Sequence, residues 1–386
     1  MICSSSPYIY LDYNASVPVR KQCFENLKMH DLNTLNPSAI HDWGRKAKYA
    51  LESSRDILFN LLEISRVDYE IIFTSGATEV NNSIIQSFDG PILVSSVEHS
   101  SVLNAKPSVD ILSVDTWGRI DLGDLENWLS KQSRPSLVCI MHANNETGVV
   151  QDVQAVSNLC KKYNTHFHCD AVQVLGKRKI DFSLFSSCAL SAHKIGGFGG
   201  IGCCVIKKNW ELPAFLKGGG QEQYRRAGTE NLVGAISFAV ALEKAIEEQH
   251  NLIWQDVDIK RNRLESMILD VCPDVYIAGK NLESDQVDRL ENTTMICLPG
   301  VKSERQVVFM DLYSIGVSAG SACSSGSLKD SHVLKAMKVP DHLSMGSLRV
   351  SMGPYVSDND LNQFFHVWCK MAEKFGAIIH NNCPIV

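Results

Sequence analysis

Short apolar segments alternate with longer amphipathic segments through the first half of the chain, and this alternation constrains the fold more than any other feature. Helical patterns at 121–131 and 152–163 lie between runs that are typical of strands. Those runs occupy 71–74, 92–96, 109–114, 137–141, 166–170 and 201–206. Alternating strands and helices predict an α/β fold with a mostly parallel sheet that helices cover on both faces. A functional site is then expected along the carboxyl ends of the strands.

The length of the chain predicts two domains. It has 386 residues, of which 45% are hydrophobic, and this is enough for two cores. Helical patterns at 232–246 and 253–271 follow one another without a Pro, Gly or Ser linker, as one continuous or sharply bent helix. We place the domain change between them. The prediction is a large domain at 13–252 and a small α+β domain formed by 1–12 with 253–386.

Charge and cysteine content exclude several classes of protein. The net charge of −6 argues against nucleic acid as the main partner, because phosphate binding requires a basic surface. No run of about 18 apolar residues could span a bilayer, and the first residues lack the pattern of a secretory signal. Thirteen cysteines, an odd number that includes adjacent Cys203 and Cys204, favour buried reduced thiols over disulfides. We therefore expect a cytoplasmic protein with no membrane partner.

A lysine follows an apolar run at the end of one predicted strand. Ser191, Ala192, His193 and Lys194 come directly before a cluster of glycines at 196–200. A lysine among small residues at a strand end suits a Schiff base, because desolvation and neighbouring cations lower the pKa of its amine. An ordinary solvated loop lysine is the alternative that this fragment leaves open.

A carboxylate at the end of an earlier strand favours the catalytic interpretation of that lysine. Asp170 could keep the nitrogen of a pyridine ring protonated, while Lys194 holds an aldehyde carbon. The string Asp170-x-x-Gln173, followed by Ser191-x-His193-Lys194, resembles the pyridoxal phosphate (PLP) signature of class V aminotransferase-like enzymes. More narrowly, it is similar to cysteine desulfurases of the NifS/IscS type. The resemblance implies PLP fold type I, with a mostly parallel sheet of the seven-stranded type, and a cofactor role for all five residues.

A second motif lies where the strand at 71–74 ends. The chain breaks at Gly76, and a predicted helix begins with Ala77 and Thr78 in its first turn. A helix N-terminus offers free amide N–H groups to an anion. The alternative is an ordinary threonine cap, with Glu79 favouring the helix dipole. The string Thr-Ser-Gly-Ala-Thr-Glu resembles the phosphate loop of the PLP family, which implies that Ala77 and Thr78 bind the cofactor phosphate.

Four further roles come from the resemblance. It implies that His99 stacks on the pyridine ring and carries protons, although a lone histidine at a strand end is more often structural. Asn145 and Arg349 match positions that bind the substrate carboxylate, for which a planar guanidinium is well suited. Thr229 matches a threonine that reaches the phosphate of the neighbouring subunit's cofactor. It therefore implies a homodimer.

The predicted nucleophile lies in a segment rich in small polar residues. Cys323 stands within Gly-Ser-Ala-Cys-Ser-Ser-Gly-Ser, a setting that suits an exposed, mobile thiol better than a core position. The alternative of an inert, buried thiol applies to most of the other cysteines. The string resembles the nucleophile loop of cysteine desulfurases. It implies that L-cysteine becomes L-alanine, with a persulfide formed on Cys323 and passed to an acceptor protein such as an iron-sulfur scaffold.

Other functions remain possible on the sequence. A selenocysteine lyase or another class V PLP enzyme would share every cofactor residue. A non-catalytic sulfur-relay module is a more distant alternative. A metal hydrolase could use His166, His168 and Asp170, which alternate onto one face of a strand, although zinc usually takes ligands from more than one element.

Overall fold

The computed structural model describes residues 8–30, 35–281, 287–320, 330–377 and 379. The helices in these ranges are α1 Lys21–Leu27, α2 Asp42–Leu61, α3 Ala77–Ser87, α4 Ser100–Leu103, α5 Leu122–Leu129, α6 Val153–Lys162, α7 Leu232–His250, α8 Ile253–Val271, α9 Ser303–Leu312, α10 His332–Ala336, α11 Asp341–Ser344 and α12 Asp358–Lys374. The strands are β1 Ile9–Tyr10, β2 Tyr69–Thr74, β3 Ile92–Ser95, β4 Asp110–Leu112, β5 Leu137–Cys139, β6 His166–Asp170, β7 Ser187–Ser191, β8 Gly202–Lys207, β9 Tyr276–Ala278, β10 Thr293–Cys297, β11 Ile315–Gly316 and β12 Ser347–Ser351. No described helix is both long and apolar enough to cross a membrane.

The largest sheet confirms the predicted α/β fold. It has seven strands in the order β2-β8-β7-β6-β5-β3-β4. All neighbouring pairs from β4 to β7 are parallel, and only β8 runs against its two neighbours. Successive residues of each strand face opposite cores, as strand geometry requires. Cys203 lies in one core cluster and Cys204 in another, which explains why adjacent cysteines do not form a disulfide.

The helical pattern predicted across 232–271 is interrupted once. Helices α7 and α8 are separated by Asn251 and Leu252, and Leu252 adopts a left-handed backbone conformation with φ 57°. A non-glycine residue in that conformation cannot continue a right-handed helix. The chain therefore turns sharply at the position where the domain change was predicted.

A smaller antiparallel sheet lies between two cores. Its strand order is β12-β10-β9. Alternate side chains of β10 point to different clusters, because Met295 packs in the largest cluster and Ile296 packs in a second one. The second cluster also contains Leu11 and residues of α8, α9 and α12. The domain division stays a prediction, since residues of the segment 333–339 pack in the largest cluster.

Candidate functional site

Neighbouring strands bring three predicted motifs to one edge of the large sheet. The register pairs Gly202 of β8 with Thr74 of β2 on one side and with Ser191 of β7 on the other. Asp170 lies at the end of β6, which pairs with β7. A Cβ atom at Gly202 would lie only 2.5 Å from the Leu190 carbonyl oxygen and 2.7 Å from the Gly76 Cα. Glycine there lets the phosphate-loop turn approach the lysine strand.

The Lys194 amine is held by the N-terminal segment. Its Nζ donates hydrogen bonds to the backbone oxygens of Asn14 at 2.5 Å and Ala15 at 3.0 Å. The adjacent His193 lies 2.9 Å from Ser191 through Nδ1 and Oγ. Burial, followed by the nearby Lys194 charge, lowers the pKa of His193 to about 4. The imidazole beside the lysine is therefore neutral at physiological pH.

The Asp170 carboxylate is buried and oriented by two donors. Its Oδ2 accepts from the Asn81 Nδ2 at 2.8 Å, and its Oδ1 accepts from the Val172 amide at 3.1 Å. Asn81 lies on α3, whose first turn carries Ala77 and Thr78. Because two donors fix the carboxylate, the direction of its remaining lone pairs is also fixed.

The residues at this edge fit PLP. The buried Gln173 donates from Nε2 to the Asn14 carbonyl at 3.1 Å, but its Oε1 accepts no hydrogen bond from any described residue. Such an oxygen can accept from a ring hydroxyl group. Across the described ranges, no hydrogen bond uses the Ala77 and Thr78 amides at the start of α3. They can bind a phosphate. Together with an amine and a carboxylate, these groups match every polar end of the cofactor.

His99 is the N-cap of the short helix α4. Its Nδ1 accepts from the Ser101 amide at 3.1 Å and lies 2.8 Å from the Ser101 Oγ. The His332 Nε2 lies 2.9 Å from the backbone oxygen of Glu98, the residue before His99.

The predicted substrate residues also meet near Asn14. The buried Arg349 donates from Nη2 to Asp12 at 2.8 Å and from Nη1 to the Asn145 carbonyl at 3.2 Å. Asn14 donates its Nδ2 to the same carbonyl at 3.1 Å. The Nε of Arg349 is buried and has no partner among the described residues. The arginine fork, Asn145 and the Lys194 amine are therefore joined through one asparagine.

Cys323 lies outside the described residues, but the chain on either side of its segment is defined. Ser318 and Arg349 exchange two backbone hydrogen bonds, at 3.2 and 2.7 Å. The Ser331 Oγ donates to Glu146 at 2.5 Å. Burial raises the pKa of Glu146 to about 7, against the opposing effects of Ser331 and Arg349. Both flanks thus reach the side of the site that holds Arg349.

Thr229 lies in a loop whose Arg226 pairs with Glu79 in the first turn of α3. It is exposed in the loop between β8 and α7. Within the described residues, it forms no hydrogen bond with the Lys194 or Asp170 groups. Its phosphate contact across a homodimer stays a prediction.

The geometry does not favour the metal hypothesis. The ring nitrogens of His168 lie 2.7 Å from the Ser187 Oγ and 2.9 Å from the Asn81 Oδ1. His166 stacks on Trp210, with ring centroids 4.4 Å apart. A search of the described residues for three or more clustered metal-binding side chains finds no candidate group.

Comparison with known proteins decides the family. The family model for class-V aminotransferases matches residues 9–364. The chain belongs to this family. A cysteine desulfurase IscS from Dictyoglomus turgidum is 36% identical over 96% of both chains. A cysteine desulfurase from Sinorhizobium fredii is 37% identical, over 93% of this chain and 95% of that protein. A solved NifS-like protein from Rickettsia africae matches with a TM-score of 0.87 at 32% identity, over 95% of this chain and 100% of that one.

These relatives place the chain among the cysteine desulfurases of the class-V aminotransferase family. The predicted family, the PLP fold, the PLP dependence and the desulfurase type are therefore confirmed. The comparisons do not favour the selenocysteine lyase or sulfur-relay alternatives.

Several polar residues of this desulfurase were missed by sequence reasoning. Asn14 contacts Lys194 and the Asn145 backbone, and Asp12 pairs with Arg349. Asn81 binds Asp170, and the sequence did contain a signal for it. The buried face of α3 consists of Ala77, Val80, Asn81, Ile84 and Ile85. An amide at a position where helical spacing requires an apolar residue indicates a buried polar contact.

Proposed function

We propose that the enzyme removes sulfur from L-cysteine, releases L-alanine and carries the sulfur as a persulfide on Cys323. One observation supports this proposal above all others. The amine of Lys194, the amide of Gln173 and the backbone of Asn145 all contact Asn14, and Arg349 contacts Asn145. A cofactor lysine and a substrate arginine are thus parts of one site.

The residues at the sheet edge would hold PLP by its separate ends. Lys194 would bind the aldehyde carbon, and Asp170 would pair with the ring nitrogen. Ala77 and Thr78 hold the phosphate through the start of α3, with Thr229 supplied by a partner subunit. When bound, PLP supplies an electron-withdrawing ring that stabilises negative charge on the substrate Cα. The remaining cofactor contacts are assigned to Gln173 at the ring hydroxyl, His99 at the ring face, and Ser191 and His193 near the phosphate.

Ser191 has a position that suits its assignment. Its Oγ lies 3.9 Å from where a Cβ of Gly76 would stand, next to the helix start that holds the phosphate. The neutral His193 bonds to that hydroxyl group. This pair adds polar contacts at the phosphate end without adding a charge.

Substrate binding is assigned to Arg349 and Asn145. Arg349 is 2% exposed, and hydrogen bonds to Asp12 and Asn145 hold its guanidinium in place. Charge-assisted hydrogen bonds are stronger in a buried setting than at the surface. The Nε of Arg349, which has no partner in the described part of the chain, can donate to the cysteine carboxylate.

Sulfur transfer is assigned to Cys323. Its thiolate attacks the substrate sulfur, an S–S bond forms, and the substrate C–S bond breaks. The electron pair of that bond stays with carbon, which takes up one proton and becomes the methyl group of alanine. His99 is assigned as a proton carrier in this exchange. The persulfide then passes to an acceptor protein such as an iron-sulfur scaffold.

A homodimer is the second part of the proposal. Met29 and Tyr49 are each 77% exposed and line a groove of about 380 Å³ with Leu232. Ile40, at 90% exposure, and Trp43 add exposed apolar surface in and before α2. A second copy covering this surface would bury it and would also supply Thr229. Sedimentation should give a dimer for the wild type and a monomer for Tyr49→Glu.

A cytoplasmic location also remains a proposal. Buried thiols such as Cys139, Cys169 and Cys203 form no disulfides in the described structure. Proteins of oxidising compartments use cysteines mainly in disulfides, so this usage supports a reducing compartment.

The main test follows cofactor and products separately. Wild type should show a visible cofactor band and should form alanine and sulfide from L-cysteine in the presence of a thiol. Cys323→Ala should keep the band and form neither product, whereas Lys194→Ala should retain no covalently bound cofactor. Cys160→Ala is the matched control, since burial raises the pKa of that thiol to about 12 and leaves it inert.

Two outcomes would change the proposal. Turnover by Cys323→Ala would remove the assignment of the nucleophile. Selenocysteine consumed far faster than cysteine by the wild type would instead support a selenocysteine lyase.

A further inference from the structure

A buried hydrogen-bonded chain connects the two sides of the proposed cofactor site, and Asn81 stands at its centre. Asn81 is fully buried on α3. Its Nδ2 donates to the Asp170 Oδ2 at 2.8 Å and to the Ser101 Oγ at 2.9 Å. Its Oδ1 lies 2.9 Å from the His168 Nε2. Every polar atom of this amide is therefore used.

The direction of each hydrogen bond follows from Asp170. An ionised carboxylate can only accept, so the amide nitrogen of Asn81 must face it and the amide oxygen must face His168. The His168 Nε2 then carries a hydrogen and donates to that oxygen. Its Nδ1 accepts from the Ser187 Oγ at 2.7 Å. Burial lowers the pKa of His168 to about 3, which keeps the ring neutral, and the Asn81 oxygen at Nε2 fixes its tautomer.

The other branch reaches His99. The Ser101 Oγ accepts from Asn81, so its own hydrogen is available to the His99 Nδ1 at 2.8 Å. The Ser101 amide also donates to that Nδ1, at 3.1 Å. A nitrogen that accepts from a backbone N–H carries no hydrogen itself. Neutral His99 must therefore carry its hydrogen on Nε2.

We propose that Asn81, oriented by His168, is a positioning residue that aims Asp170 at the cofactor ring nitrogen and, through Ser101, keeps the His99 Nδ1 an acceptor. This inference deepens the proposed function and rests on it for the roles of Asp170 and His99. It assigns His168, considered above as a metal ligand, to orienting an amide. Neutral His99 consequently offers a proton, and not a lone pair, from Nε2.

The test uses binding to the apoprotein and needs no turnover. Two ligands are compared, PLP and an analogue in which carbon replaces the ring nitrogen. Asn81→Ala should weaken PLP binding about tenfold or more, because a hydrogen bond to a charged group is lost. Binding of the analogue should be unchanged, since it offers Asp170 no ring nitrogen. An equal loss for both ligands, or no loss for either, would overturn the proposal.

Three further variants separate positioning from packing. His168→Leu should reproduce the selective loss, and His168→Gln should restore binding because a glutamine amide can still donate to Asn81. Asn82→Ala is the matched control on the same helix, since its Nδ2 bonds only to the backbone oxygens of Thr78 and Ser101 within the described structure. If Asn81→Ala does not fold, the two His168 variants carry the test.

Nitrogen-15 NMR of the apoprotein tests the His99 branch. The wild type should show neutral His99 with an unprotonated Nδ1 and a protonated Nε2. A protonated Nδ1 would refute the direction assigned to the chain. Failure of the wild type to bind either ligand would instead count against the proposed function, so the two failures are distinguishable.

Discussion

The stability of Glu98→Gln relative to the wild type should increase as the pH rises. Glu98 is fully buried, and its Oε1 accepts from the Ser95 Oγ at 2.6 Å and from the Met141 amide at 2.8 Å. Its Oε2 has no partner among the described residues. Burial raises the pKa of Glu98 from 4.5 to about 8, against the effect of the Ser95 hydrogen bond. The side chain is therefore protonated at neutral pH, and a glutamine mimics that form.

The size of the effect follows from proton linkage. Between pH 4.5 and about 8, the folded chain keeps a proton on Glu98 that the unfolded chain releases. The free energy of unfolding of the wild type thus falls by about 1.4 kcal/mol per pH unit through this group. An unfolding entropy of about 2.1 cal/mol/K per residue, summed over the chain as one cooperative unit, converts this to about 2 °C per pH unit.

Differential scanning calorimetry from pH 6 to 9 provides the assay. The melting temperature of Glu98→Gln minus that of the wild type should increase by about 2 °C per unit up to pH 8 and then stay constant. Exposed Glu243→Gln should show no such trend. A difference that is independent of pH, or that grows on acidification, would show that Glu98 is ionised in the folded protein.

Three further perturbations have defined outcomes. Arg349→Lys should lower kcat/KM for L-cysteine about tenfold or more, because the fork that can bind a carboxylate bidentately is lost, and steady-state kinetics measure this. Arg55→Met should lower the free energy of unfolding in urea by about 3–5 kcal/mol. Buried Glu222 lies 2.8 Å from Arg55 in the wild type, and the substitution leaves its carboxylate as an unpaired charge. Acidification below about pH 6.5 should destabilise His168→Gln less than the wild type. The pKa of His168 is about 3 in the folded protein, so only the unfolded chain takes up a proton there, and this lowers the stability of the wild type. Melting temperatures between pH 5 and 7 measure that last effect.

The sheet was largely predictable because strand and helix patterns differ in period. The antiparallel direction of β8 was not predicted. It is explained by the short connection between β7 and β8. Only ten residues, 192–201, separate β7 from β8, and they include a tight turn at Lys194. A parallel crossover usually needs a dozen or more residues and a helix, so a short connection favours an antiparallel neighbour. The break at Leu252 likewise depends on a left-handed residue that no local pattern marks.

The site was predictable only where strand ends carry its chemistry. Lys194 and Asp170 stand at such ends, and the alternating pattern places them together. The contacts of Asn14 join residues far apart in the chain, so no local pattern could reveal them. The roles of all these residues remain predictions. Cys323 lies outside the described residues, and the role of Thr229 needs a partner subunit.

Asn14 links the residues proposed to bind the cofactor with those proposed to bind the substrate. Its carbonyl accepts from Lys194 and Gln173, which lie in the turns that follow β7 and β6 of the large sheet. Its side chain bonds to Thr293 and Asn292, at the start of β10 in the small sheet. Bonding of the lysine to the cofactor would remove one of these contacts while Gln173 keeps the same carbonyl in place. The junction between the sheets therefore does not depend on the lysine, and the substrate side of the site can keep its shape while the amine changes partners.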